Sequence, residues 1–179
     1  MRLFFALWPD DNTRIKLAQR RIEVVRLSGG RPLMPASLHM TLVYIGEVSE
    51  ARIRDVNAIG DGIVHAGFDY PVDTAACFSE AGVSWLGAAN PPLGLFSLQM
   101  QLRVAVNSQQ NADGFAIDKR RFRPHITVVR EIEQPFDTSS IEPVIWSVRS
   151  FSLVNSRIDG GSAQHEVLRT WPLRDAYER

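Results

Sequence analysis

Two short stretches of this chain place a histidine and a threonine two positions apart at the head of an apolar, β-type run. They are "LHMTLVYIG", residues 38–46, and "RFRPHITVVR", residues 121–130. The chain has four histidines, at 39, 65, 125 and 165, and two of them carry this context. Successive side chains of a strand alternate faces. His39 therefore shares a face with Thr41, and His125 with Thr127, while Met40, Leu42, Ile126 and Val128 point the other way. Each strand sends aliphatic side chains into a core and offers an imidazole and a hydroxyl to the opposite side.

That pairing suits phosphoryl chemistry. An imidazole has an ordinary pKa of about 6.5, so near neutral pH one ring can accept a proton while another donates one. Cleaving a phosphodiester needs both roles, a base for the attacking water or hydroxyl and an acid for the leaving oxygen. Threonine hydroxyls can donate to the non-bridging oxygens, where negative charge grows in the transition state. Chain order alone does not say which imidazole is acid and which base. The chain has one cysteine and no His-x-His or His-Glu-x-x-His spacing, so neither a metal nor another cofactor is expected. His65, near the end of a predicted helix, and His165, in a late strand, read as structural residues. Lys119, Arg120, Arg121 and Arg123 lead into the second motif and flank the expected cleft. Arg123 has the parity of His125 and is a candidate for holding phosphate. Arg130 has the opposite parity unless a bulge re-aims it.

The elements that must position these groups form a repeat. "RLFFALW" reads as a buried strand ended by Pro9, and Asp10 or Asp11 can cap a helix whose inward positions are Ile15, Ala18, Ile22 and Val25. "SGGRP" stops that helix before the first His-x-Thr strand. A second helix is predicted over about 49–66, with Ile53, Val56, Ile63 and Val64 inward, followed by a strand at "FDYPVDTAACF". The order then recurs: the strand "VSWLGAA", a helix with Leu95, Leu98, Leu102 and Ala105 inward, a polar loop over 107–121, and the second His-x-Thr strand. Strands at "VIWSVRSFSLVNS" and "AQHEVLRTWPL", joined by the turn "RIDGGS", close the chain. The two motif histidines lie 86 positions apart (125 − 39), near half the chain length. An internal duplication giving two pseudo-symmetric lobes would bring the motif strands face to face. With no flexible linker between the halves, residues 1–179 are expected to form a single bilobal domain.

Composition sets the outer limits. The 179 residues are 45% hydrophobic and 22% charged, ordinary for a globular protein with a core. Twenty basic residues balance twenty acidic ones, which argues against a broad grip on nucleic acid and leaves room for a local phosphate site. A lone cysteine, Cys77, cannot form an intrachain disulfide. The apolar run near the amino terminus is too short for a signal-peptide core, and no stretch nears the roughly 20 residues needed to span a bilayer. A cytoplasmic protein with no membrane partner, and a monomer, is the expectation.

The paired "HMTL" and "HITV" resemble the motifs of the two-histidine phosphoesterase superfamily. Together with "RLFFALWPDD", "VSWLG", "PPLGL", "FRPHITVVR" and "VLRTWPL", they resemble the RNA 2′,3′-cyclic phosphodiesterase family, also called 2′-5′ RNA ligase, over essentially the whole chain. The resemblance implies an α+β fold of two lobes, each an antiparallel sheet with outer helices, around a central cleft. It implies hydrolysis of a terminal 2′,3′-cyclic phosphate on RNA ends or short oligonucleotides to a 2′-phosphomonoester. Some members also make a 2′-5′ linkage. Carried over by motif, His39 is the proton donor, His125 the proton acceptor, Thr41 and Thr127 hold phosphate, and the family's strand-end arginine falls on Arg130. Two rival readings are an enzyme acting on a small cyclic nucleotide and a non-catalytic binder of phosphorylated RNA ends. Intact histidines and threonines at both motifs speak against the binder.

Overall fold

A computed structural model describes residues 1–109, 120–159 and 162–174. Lys119, most of the polar loop and the tip of the "RIDGGS" turn lie outside the described residues. The chain runs β1 (Arg2–Leu7), α1 (Asp11–Ser28), β2 (Arg31–Pro32), β3 (Met40–Glu47), α2 (Ile53–Asp61), β4 (Phe68–Phe78), β5 (Val83–Gly87), α3 (Leu93–Ser108), β6 (Ile126–Arg130), β7 (Ser139–Val148), β8 (Ser150–Asp159) and β9 (Ser162–Pro172). Two sheets result. One has four strands in the order β3-β1-β8-β9, the other five in the order β2-β6-β5-β4-β7. Every pairing is antiparallel.

The repeat read from the sequence is present: β1-α1-β3 matches β5-α3-β6, and in each the motif strand is hydrogen-bonded to the strand before the helix. The halves interlock, however. Helix α1 leaves the four-stranded sheet and packs on β5, β6 and β7 of the other, while α3 leaves the five-stranded sheet and packs on β3. Strands cross over too. A single residue, Arg149, separates β7 in one sheet from β8 in the other. Leu3, Phe5, Leu7, Phe151 and Leu153 from one sheet join Tyr70, Leu86, Ile126, Val128 and Trp146 from the other in one buried cluster.

Several boundaries and faces differ from the sequence expectation. On α1 the buried apolar residues are Leu17 and Val24, both fully covered, whereas Ile15 is 59% and Ile22 51% exposed. Ala18 and Val25 are only partly covered against the core. Residues 15 and 17 lie about 200° apart on a helix of 3.6 residues per turn. Each opposite face thus carries an apolar pair seven apart, and packing against β5–β7 selects one. Asp10 caps the helix as expected, its carboxylate accepting from the Thr13 N–H at 2.9 Å. Helix α2 ends at Asp61, which leaves Val64 59% exposed and makes Val56 and Ile59 the buried positions. Gly60 is required there, because a Cβ would collide with the Trp171 ring. The strand expected at 144–156 is two strands broken at Arg149, and β7 begins earlier, at Ser139.

Candidate active site

His39 and His125 each stand one residue before their strands, β3 and β6. Both rings are fixed in the same way. His39 Nδ1 lies 2.7 Å from the Ser37 carbonyl oxygen and His125 Nδ1 lies 2.6 Å from the Arg123 carbonyl oxygen. A carbonyl only accepts, so each Nδ1 carries the hydrogen and each Nε2 is left to act as acceptor when the ring is neutral. Aromatic side chains hold the rings. Trp8 stacks on His39 at 5.0 Å and 7°, with Phe4 at 5.2 Å. Phe78 meets His125 edge-on at 5.0 Å, with Trp85 at 6.5 Å. Alternation holds beside them: Met40, Leu42, Ile126 and Val128 are buried, while Thr41 and Thr127 are half-buried. Neither threonine hydroxyl is hydrogen-bonded among the described residues, so both are available as donors.

Arg130 reaches this face through a bulge. Ser84 and Trp85 are neighbours on β5, but their partners on β6 are Val129 and Thr127. Val128 is therefore an extra residue, and Val128 and Val129 are both fully buried. The insertion reverses the parity beyond it and puts Arg130 on the side of Thr127. The chain then leaves the sheet at Glu131, whose φ is 55°. The first motif has a bulge at the same point: Phe5 and Ala6 pair with Val43 and Thr41, skipping Leu42. Leu42 and Val43 are both buried, and Tyr44 occupies the position of Arg130, again 86 residues earlier (130 − 44). Strict alternation puts Arg130 on the other face, and the bulge is the exception that re-aims it. The consecutive apolar pairs Leu42-Val43 and Val128-Val129 were the available signal, because a regular half-buried strand would expose one of each.

His165, which reads from the sequence as a structural residue, lies beside His39. Strand β9 pairs His165 with Ser156 of β8. This sets the imidazole on the face of Phe4 and Val154, 4.8 Å from His39 and 5.6 Å from Phe4. Nothing in "AQHEVL" announces it, since a late strand and an early one become neighbours only through β1. His65, by contrast, donates to the Ala66 carbonyl and packs on Phe68, with no contact to the motif residues.

The charged groups acting on these rings are cationic. Burial pushes the His39 pKa down to about 4; the hydrogen bond to Ser37 opposes this, and His165, His125 and Arg130 add to it. His125 is lowered by burial first, then by Arg123 and Arg130, against the support of its own hydrogen bond. His165 is lowered by burial and by Arg130. The Arg130 charge thus opposes protonation of all three imidazoles. The Arg123 guanidinium lies 4.2 Å over the Phe78 ring, beside His125. Among the described residues the two imidazoles, the two threonine hydroxyls and Arg130, which forms no ion pair there, supply hydrogen-bonding groups and positive charge of the kind an anion would need. Among the described residues no group of three or more His, Cys, Asp or Glu side chains is arranged to hold a metal ion.

With that geometry in hand, the relatives are informative. Residues 7–85 match the family model described as LigT like Phosphoesterase. The chain is 32% identical over 176 residues to the RNA 2′,3′-cyclic phosphodiesterase of Escherichia coli K12, covering 96% of each chain. It is 28% identical to the protein of the same name from Thermus thermophilus, over all of this chain and 93% of that one. The fold superposes on the crystal structure of E. coli LigT in apo form with a TM-score of 0.80, at 30% identity over 96% of both chains. A crystal structure from T. thermophilus gives 0.82 at 26% identity, over 99% of this chain and 100% of that one. One E. coli LigT structure was solved in complex with 3′-AMP, a nucleoside phosphomonoester. A matched His-x-Thr strand in each of the two sheets, and an E. coli relative aligned nearly end to end, establish that this chain belongs to the LigT-like phosphoesterase family of RNA 2′,3′-cyclic phosphodiesterases.

Proposed function

We propose that this protein hydrolyses terminal 2′,3′-cyclic phosphates of RNA to 2′-phosphomonoesters by metal-independent catalysis through His39 and His125. The observation that carries the reading is the matched tautomer of the two motif imidazoles, each with Nε2 left as acceptor and a threonine two residues on. His125 Nε2 takes a proton from water as its oxygen attacks phosphorus. His39 Nε2 gives a proton to the 3′ oxygen as the P–O3′ bond breaks. Thr41, Thr127 and Arg130 hold the non-bridging oxygens, where charge increases, and Arg123 supplies positive charge on the His125 side. Solvent resets the two rings, and the net change is addition of one water.

Electrostatics supports a specific order of events. With a pKa pushed down to about 4, His39 is neutral near pH 7 in the empty cleft. Burial is the main cause of that depression, with His165, His125 and Arg130 adding to it. A phosphate anion between His39, His125 and Arg130 opposes both by favouring the charged ring, so the acid gains its proton together with the substrate. The names of the relatives support an RNA end as substrate, and the 3′-AMP complex of E. coli LigT supports a nucleotide site. The reading extends to a cytoplasmic, monomeric enzyme able to run related chemistry backwards as 2′-5′ ligation. Among the described residues no helix is long and apolar enough to cross a membrane.

The test is turnover of an oligonucleotide ending in a 2′,3′-cyclic phosphate, beside a 2′,3′-cyclic mononucleotide, with and without EDTA. The expected product is a 2′-phosphomonoester, formed at the same rate in chelator. Loss of activity in EDTA with recovery on adding zinc or manganese would replace proton transfer by a metal-bound hydroxide. Preference for the mononucleotide would favour the small-nucleotide reading, and tight binding without turnover the binder.

A further inference from the structure

His165 takes no part in the two-histidine scheme, yet its ring contacts His39. The separations are 5.0 Å for Trp8–His39, 4.8 Å for His39–His165 and 6.2 Å for Trp8–His165. If Trp8 and His165 covered opposite faces of His39, their separation would approach the sum of the other two. It is far shorter, so His165 meets the rim of His39. Its plane is turned 69° from that of His39 and 86° from that of Phe4.

The two nitrogens of His165 differ. Nδ1 is buried and has no hydrogen-bond partner. An N–H placed there would be a buried donor with nothing to bond, costing on the order of 1–3 kcal/mol, and more if the ring were charged. Arg130 opposes that charge from β6, and His39 from the loop before β3. The nearest ion pair of the β8–β9 hairpin, Arg157–Glu166 at 2.8 Å, is internally neutral, and Phe4 and Trp8 carry no charge. The arrangement that avoids the cost is the neutral ring with its hydrogen on Nε2. This is the opposite tautomer to His39 and His125, whose hydrogens lie on Nδ1. His165 is then a standing neutral donor beside the acceptor imidazole of His39, on the aromatic face of the four-stranded sheet and within the field of Arg130.

We propose that His165 is a further phosphate-binding residue, donating from Nε2 to the non-bridging oxygen on the His39 side of the cleft. It complements Arg130, which stands on the opposite sheet. The idea rests on the phosphodiesterase reading and goes beyond it, since the motif scheme leaves that oxygen to Thr41 alone.

Two measurements test it without relying on turnover. Imidazole 15N spectra of the intact protein near pH 7.5, with His165 assigned from its loss in His165→Gln, should show a neutral ring with its hydrogen on Nε2. A charged ring at that pH, or a neutral ring with its hydrogen on Nδ1, overturns the proposal. Inorganic phosphate affinity is the second measurement. His165→Phe keeps the aromatic footprint and removes the donor, so binding should weaken by about 10-fold, the cost of one such hydrogen bond. His165→Gln keeps a donor and should stay within about 3-fold of the wild type. Equal phosphate affinity in His165→Phe overturns the inference even if the wild type turns over cyclic-ended RNA. Conversely, a wild type inactive on cyclic-ended RNA sinks the phosphodiesterase reading while the phosphate measurement still decides for or against His165.

Discussion

The first and second His-x-Thr arms begin alike and part company at their sixth residue. Each has an imidazole one residue before its strand, a ring hydrogen bonded to the carbonyl two residues earlier, a half-buried threonine and a bulge at the next position. The first arm then presents Tyr44 and the second Arg130. Tyr44 accepts a hydrogen bond from Arg2 at 3.1 Å and packs with the aromatic floor, whereas Arg130 projects its charge onto three imidazoles. His39 is also the ring hemmed in by Trp8, Phe4 and His165, while His125 has the cation Arg123 beside it. A duplicated backbone has thus been given unequal environments. Acid–base catalysis needs that inequality, because two identical imidazoles have no reason to hold different protonation states.

The largest expected effect removes either ring. His39→Ala and His125→Ala should each lower turnover of a cyclic-ended oligonucleotide by roughly 10²-fold or more, with circular dichroism unchanged. A folded variant of either kind with near-normal turnover would mean that the two arms are not catalytic partners.

The next contrast exchanges nothing but the divergent position. Arg130→Gln should cost about 10²-fold in kcat/KM, the usual loss for one donor to a developing anion. Tyr44→Phe removes only the hydroxyl that accepts from Arg2 and should change kcat/KM by less than about 3-fold. Comparable losses in the two variants would make the arms functionally equivalent, contrary to the electrostatics described above.

The smallest effect is on stability. His39 is folded with a pKa of about 4, below the ordinary 6.5 of an unfolded histidine. Between these values the unfolded chain binds more protons, so stability should rise as pH increases from about 4 to 6.5 and be lost as pH falls through that window. Denaturant midpoints of His39→Gln should show a shallower slope there than the wild type. His125→Gln should act in the same direction, since its ring is also depressed. An unchanged slope in His39→Gln would place His39 in a more solvated setting than its stacked ring implies.

Local chemistry was legible at the motifs themselves. The period-2 pattern correctly put Thr41 and Thr127 opposite Met40, Leu42, Ile126 and Val128, because the pleat fixes alternate faces wherever one face is buried. Strand β4 follows the run from Phe68 to Phe78, and Leu95, Leu98 and Leu102 line the buried side of α3. The pattern failed on α1, where apolar pairs on opposite faces satisfied the helical period equally and only contact with β5–β7 chose Leu17 and Val24.

Residue order alone therefore determined that two imidazole–hydroxyl pairs exist and repeat at 86 positions, since type and spacing are properties of the chain. Three things were decided only by tertiary structure. The bulges at Leu42 and Val128 set the faces of Tyr44 and Arg130, because register is a relation between two strands and one strand cannot state it. The exchange of helices and strands between the sheets brought the motifs together, because it depends on which surfaces bury each other. And His165 arrived beside His39 from a strand 126 positions away (165 − 39), through the pairings of β1 with β3 and β8 and of β8 with β9. Such a contact is set by sheet order, and no local period in the chain encodes it.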